Sequence, residues 1–209
     1  MTDEICRSCI DCRVTNCSSG KSQYPAFCPT VHTDKSLIAH SLAQYQEPEN
    51  HAVAIASAEV EGQFYGKMTR LEETAAFAEK LKIRKIGIAT CVGLIKEAGI
   101  VGKFFRHKGF EVVGIACKVG AIPKSEIGIP KYCEEIGPNL CNPILQAEYL
   151  NAEETELNVV IGLCVGHDAL FTKHSKALCT TLIAKDRVLG HNPAAAVYLS
   201  DSYYSKLMD

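Results

Sequence analysis

Four short apolar runs alternate with stretches of helical character over the C-terminal part of the chain: KIGIAT (85–90), FEVVGIA (110–116), LNVVIGL (157–163) and LCTTLIA (178–184). Runs that are apolar almost throughout, without a polar residue at every second position, suit strands buried on both faces, as in a parallel sheet covered by helices. The intervening segments offer a helix over 93–107, one opened by Asn142-Pro143, a short one near 169–176 and a last one opened by Asn192-Pro193. An Asn-Pro pair sets a capping side chain just before a proline at the first helical position, where the missing N–H costs nothing. The class expected is therefore α/β: a doubly wound, mainly parallel sheet of about four strands. No Gly-x-Gly-x-x-Gly follows any of the four runs, so a dinucleotide site is not supported.

Upstream the pattern changes. Residues 33–82 carry SLIAHSLAQY, HAVAIASAEVEGQFY and TRLEETAAFAEKLK, each with apolar residues at helical spacing, and Thr69 with Glu72 forms a capping-box pair. Residues 1–32 hold five cysteines among Ser, Gly and Pro and show almost no apolar periodicity. Such a segment cannot order itself by burial alone. The expected organisation is a cysteine-rich metal-binding arm (1–32), a helical segment packing on the core (33–82) and a Rossmann-like α/β domain (83–209).

Eleven cysteines in 209 residues need a reason. No apolar run approaches the roughly 20 residues that cross a bilayer, and the opening MTDEICRSCIDC lacks the charged-then-apolar plan of a signal peptide, so a soluble, cytoplasmic protein without a membrane partner is expected. That compartment keeps thiols reduced, and an odd count argues against a fully paired disulfide framework. Metal ligation or thiol chemistry remains. A formal charge of −2 without a Lys/Arg cluster gives no electrostatic footprint for nucleic acid.

The arm spells Cys9-x2-Cys12-x4-Cys17-x10-Cys28-Pro29, with Cys6 one further x2 step upstream. Two cysteines separated by two residues wrap both sulfurs around one metal, and Cys17 and Cys28 complete a four-thiolate shell. A zinc ribbon usually supplies two Cys-x2-Cys knuckles, whereas a Cys-Pro ending is typical of ferredoxin ligand runs. An iron–sulfur cluster, of the 4Fe-4S type, is the favoured cofactor, with zinc as the alternative; Cys6 is a spare thiol or an alternative ligand.

The second group lies at strand ends. Cys91, Cys117 and Cys164 each follow an expected strand, and Cys141 stands just before a proline-started helix. Ligands of open parallel sheets bind outside the carboxyl ends of the strands, so all four can converge on one edge. A single cysteine there is usually a small core residue, but a core has no reason to prefer one edge four times. These four are the candidate cofactor ligands. Around them come His167-Asp168 after the third strand and Lys185-Asp186-Arg187 after the fourth. Lys185 and Arg187 could offset the charge of a thiolate cluster or hold a small anionic substrate; His167 could donate a proton or ligate metal, and Asp168 is better placed to cap the next helix. Cys133 and Cys179 are expected to be structural, and His40, His51 and His107 are surface or satisfied core residues.

The arm, together with CNPILQAEYLN (141–151), GLCVGHDALF (162–171) and KDRVLGHNPAAAVY (185–198), resembles an uncharacterised prokaryotic family, domain of unknown function 1847, whose members are often described as cysteine-rich metal-binding proteins. The resemblance spans nearly the whole chain. It implies metal binding by Cys9, Cys12, Cys17 and Cys28 and carries no established reaction.

The functional expectation is a metal-binding protein with a four-cysteine N-terminal site and a second thiolate-rich site at the strand ends. The second site is the place for redox or Lewis-acid chemistry, and it implies a redox partner. One alternative is a zinc-binding, non-enzymatic module or metal carrier. Another is an enzyme with Cys164 as nucleophile and His167 as base.

Overall fold

The computed structural model describes residues 8–12, 17–19 and 23–209. The chain divides into two compact units, residues 1–57 and 58–209, with the division inside one helix. In the first unit, two single 3-10 turns, Cys9–Asp11 and Cys17–Ser19, precede α1 (Pro29–His32) and α2 (Lys35–Gln44). Asp34 caps α2, accepting a hydrogen bond from the Ser36 N–H at 2.7 Å. The helix α3 (Pro48–Phe64) carries the chain from one unit into the other. Cys6 lies outside the described residues.

In the second unit α4 (Arg70–Lys80) starts at the capping box expected from the sequence: Thr69 accepts from the Glu72 N–H, and the Glu72 carboxylate accepts from the Thr69 N–H at 2.8 Å. Then follow β1 (Lys85–Thr90), a 3-10 turn (Val92–Leu94) running into α5 (Ile95–His107), β2 (Glu111–Ala116), α6 (Pro143–Ala152), β3 (Leu157–Ile161), α7 (His167–His174), β4 (Leu178–Ile183) and α8 (Ala194–Tyr198). Among the described residues the four strands form one all-parallel sheet in the order β2-β1-β3-β4. The α/β class and the parallel sheet of four strands are as the apolar runs indicate.

That order fixes where a ligand belongs. From β1 the chain crosses to β2 on one side, then passes back over β1 to β3 on the other. The connections therefore diverge between β1 and β3, and beyond their carboxyl ends is where sheets of this topology take their ligands. Side chains alternate across β1. Ile88 faces Gly102 of α5, whereas Gly87 faces Leu150 of α6 and Asn158 of β3. A Cβ at Gly87 would lie 2.0 Å from Asn158 Oδ1, so only glycine fits beside that buried amide. Asn158 is itself satisfied, accepting from the Thr155 hydroxyl and donating to the Ser175 hydroxyl, both at 2.8 Å. Phe105, Leu94, Ile86, Leu150, Val159, Ile161 and Phe171 are fully or almost fully buried around the sheet. Each such side chain contributes about 1.5–3 kcal/mol relative to exposure.

Two helix starts differ in mechanism. Asn142 caps α6 as expected, its side chain accepting from the Leu145 N–H at 2.9 Å. At α8 the residue in the capping position is Pro193, and no side chain caps the helix. The expectation that Asn192 would cap it is corrected: the turn takes His191 into a left-handed conformation (φ 68°) and moves the helix start one residue on.

Candidate functional site

Cys91 and Cys117 continue β1 and β2 directly, donating backbone hydrogen bonds to Ile161 and Thr90 carbonyls at 3.1 and 2.9 Å. Both thiols are buried and both accept from the 3-10 turn after β1: the Val92 N–H points at Cys117 Sγ and the Gly93 N–H at Cys91 Sγ, each at 3.4 Å. Cys141 arrives from the long β2–α6 connection. The Asn142 N–H donates to the Cys117 carbonyl at 2.8 Å, which draws Cys141 up beside Cys117. Cys164 sits three residues beyond β3 on the turn that begins α7, where its carbonyl accepts from the His167 and Asp168 N–H groups at 2.9 and 3.2 Å. Cys141 and Cys164 are half-buried, so the four thiols form a buried pair and a more accessible pair at one sheet edge.

Electrostatics separates the thiols. The Cys117 S–H, the His167 imidazole and the Lys118 ammonium all favour a charged Cys141, whose pKa is lowered to about 3. Cys117 moves the opposite way, pushed up by Cys141 and then by burial, and keeps its proton. His167 is raised, first by Cys141 and also by Cys164, so it holds its proton above the ordinary histidine range. These contacts thus favour the thiolate at Cys141 and the imidazolium at His167, with the proton kept on Cys117. Cys164 receives a different partner: Arg187 Nη2 donates to its Sγ at 3.0 Å. Lys185 Nζ and Cys91 Sγ flank Gly93, at 3.9 and 3.7 Å from where a Cβ would stand.

Cys91, Cys117, Cys141, Cys164, His167, Lys185 and Arg187 are therefore brought to one edge. The expectation that Asp168 would cap α7 is corrected. Gly166 occupies the capping position of α7, and Asp168 lies within the first turn, its carboxylate accepting from the Ala169 N–H at 2.8 Å. Cys179 lies near the amino end of β4, at the opposite edge, its thiol raised by burial. Cys133 is in the loop after β2, where its carbonyl accepts from the buried Lys124 ammonium at 2.5 Å.

Two members of the site are not marked out by the sequence. Lys118 donates to the Asn139 carbonyl at 2.5 Å and acts on Cys141; its position immediately after a strand-end cysteine is the signal that could have found it. Gln146 of α6 is buried and its Nε2 donates to the Thr90 and Ile115 carbonyls, at 3.1 and 2.8 Å, just below Cys91 and Cys117. Its Oε1 is a buried acceptor with no partner among the described residues. On an apolar helix no sequence signal distinguishes such a glutamine.

In the arm, Cys9 and Cys12 share one turn, with the Cys12 N–H donating to the Cys9 carbonyl at 3.2 Å. Cys17 is exposed; Cys28 is buried at the start of α1, where the Thr30 hydroxyl lowers its pKa. Cys9, Cys17, Cys28 and the six cysteines beyond residue 90 are free thiols, and among the described residues no three His, Cys, Asp or Glu side chains are grouped to hold a single metal ion. By donor chemistry, both groups of four cysteines fit metals that prefer thiolate. No helix among the described residues is long and apolar enough to cross a membrane.

Fold and site together define an α/β protein with a thiol cluster at the switch point of a parallel sheet. The family model described as protein of unknown function, DUF1847, matches residues 28–182, and the chain belongs to that family. The matched span includes Cys28, the four strand-end cysteines and His167. An uncharacterized protein of Methanocaldococcus jannaschii is 41% identical over 201 residues, covering 96% of this chain and 98% of that protein.

Proposed function

We propose that the strand-end cluster is a thiolate metal centre, with Cys91, Cys117, Cys141 and Cys164 as its donors and His167 beside them. The observation that carries this reading is the convergence of Cys117 and Cys141, from positions 24 residues apart, onto one edge with the other two thiols and a set of cations. Such a group, with one thiol already held as the anion, is poised to give up its remaining protons to a metal. An iron–sulfur cluster is favoured over a lone zinc. A single zinc needs its donors within about 2.3 Å of one point, whereas a cluster attaches each thiolate to a different iron and asks for wider spacing. Bound there, the cluster would supply electron transfer or a Lewis-acidic iron. Cys9, Cys12, Cys17 and Cys28 form a separate four-thiolate set suited to structure or electron relay, with zinc the alternative.

The chain's own part is electrostatic. The Val92 and Gly93 N–H groups, Lys118, Arg187 and His167 direct positive charge at the sulfurs, which would stabilise an anionic centre bound there and raise its reduction potential. The test is anaerobic reconstitution with iron and sulfide, reading visible absorption and metal content. The proposal expects Cys141→Ser and Cys117→Ser to lose one centre while Cys12→Ser loses the other.

One arrangement favours a second reading, a thiol enzyme: Cys141 stands with Cys117 and His167, contacts that lower the Cys141 pKa and raise that of His167. In that case Cys141 takes the nucleophile's part ahead of Cys164, and His167 protonates a leaving group. Full single-site alkylation of Cys141 in protein reconstituted with metal would favour this reading over the first.

A further inference from the structure

Charge is distributed unevenly along the sheet. At the amino edge Lys85 pairs with Glu111 and Glu153, at 3.2 and 3.1 Å, and the Glu156 carboxylate accepts from the Arg84 and Lys85 N–H groups. At the carboxyl edge, among the described residues, no carboxylate pairs with Lys118, Lys185 or Arg187. The two acids close in sequence are engaged elsewhere. Asp186 Oδ1 accepts from the Val188 and Leu189 N–H groups at 2.9 and 2.8 Å, holding its own turn, and Asp168 Oδ1 accepts from Ala169.

Lys185 is the informative residue. It is half-buried as a residue, and its ammonium has no hydrogen-bond or ion-pair partner among the described residues. It stands beside Gly93, where the missing side chain leaves open the space between the ammonium and Cys91 Sγ. Arg187, two residues on, uses one Nη2 donor on Cys164 and has further donors left in its planar fork. Lys185 and Arg187 thus bracket the carboxyl ends of β1 and β3, Lys185 on the Cys91 side and Arg187 on Cys164.

We propose that this bracket binds the carboxylate of a small organic acid, with the ammonium of Lys185 and the guanidinium of Arg187 as its partners and the reacting part of the ligand directed at the strand-end thiols. A planar fork beside a point charge matches a carboxylate, and Gly93 sets the room available. The proposal names a ligand class for the centre proposed above and rests on that reading for the ligand's purpose, but binding itself requires no metal.

The test therefore uses metal-free protein. Iodoacetate and iodoacetamide alkylate a thiolate by the same step: the C–S bond forms and iodide leaves. They differ in that iodoacetate carries the carboxylate. The rate ratio of the two reagents at Cys164 and Cys141, read by peptide mass spectrometry, is compared with that of mercaptoethanol in the same solution. We expect the ratio at Cys164 to exceed the mercaptoethanol value by roughly tenfold, as two cations several ångströms away imply, and to fall with added salt. Lys185→Gln with Arg187→Gln should bring it down to the mercaptoethanol value, and excess acetate should slow iodoacetate selectively in the wild type. A ratio equal to that of mercaptoethanol in the wild type, or unchanged in the double variant, overturns the proposal. Either result leaves metal binding to be judged by reconstitution.

Discussion

The Asn142 N–H donates to the Cys117 carbonyl at 2.8 Å, and this one backbone bond sets Cys141 beside Cys117 across 24 residues of chain. It ties the start of α6 to the end of β2. The Asn142 side chain caps the same helix through Leu145, so cap, helix and thiol pair are positioned together. Asn142→Ala is expected to cost about 1 kcal/mol through the lost cap. Because the Asn142 N–H survives the substitution, Cys141 should stay beside Cys117. Urea unfolding measures the cost, and an unchanged pH profile of Cys141 alkylation checks that the backbone bond alone holds the thiol pair.

Thiolate character gives that profile its sign. Since Cys141 is lowered to about 3 and His167 is raised, metal-free protein should alkylate at Cys141 with iodoacetamide at a rate nearly flat between about pH 5 and 7, where an ordinary thiol with pKa near 8.5 still gains about tenfold per unit. The thiolate is lost as pH falls through its folded value. Cys117→Ala removes the first and largest stabilising contact and should shift the onset upward. A Cys141 rate that climbs in parallel with mercaptoethanol would show that the pair is not coupled as described.

Gly162 makes a stability prediction independent of chemistry. It has φ +61°, and a Cβ there would lie 2.8 Å from Leu94 Cδ2 in the turn that carries Val92 and Gly93. Gly162→Ala should destabilise by about 1–3 kcal/mol from backbone strain and crowding. Gly99→Ala, on α5 with no atom within 4 Å of its Cβ position, serves as the control and should be neutral or slightly stabilising. Denaturant midpoints of the two variants check the pair.

Much of the site was legible because β-branched runs announce where strands stop. Cys91 and Cys117 follow their strands without a gap, and Pro143 marks the helix that brings in Cys141. Cys164 was legible for the same reason, although two residues separate it from β3. What the sequence could not reveal depends on tertiary contact. The spacing His167-Cys164 invites a local pair, but the larger influence on His167 is Cys141, from another connection. Gln146 reads as an ordinary polar residue until the fold places its amide under β1 and β2. The glycine in KIGIAT reads as a weakness in a strand, whereas the buried amide of Asn158 requires it. The Asn-Pro signal worked at α6 and not at α8, where the left-handed His191 shifts the turn.

The central claim is that the strand-end thiols hold a metal centre separate from that of the arm. The most direct measurement is iron and acid-labile sulfide per chain after anaerobic reconstitution, on three proteins: wild type, Cys117→Ser with Cys141→Ser, and Cys9→Ser with Cys12→Ser. The account predicts that each double variant retains part of the wild-type content, that the two retained parts sum to the wild type, and that their visible spectra differ. If the Cys117→Ser, Cys141→Ser protein keeps the full wild-type iron, sulfide and spectrum, the strand-end cluster is not a metal centre and the claim is contradicted.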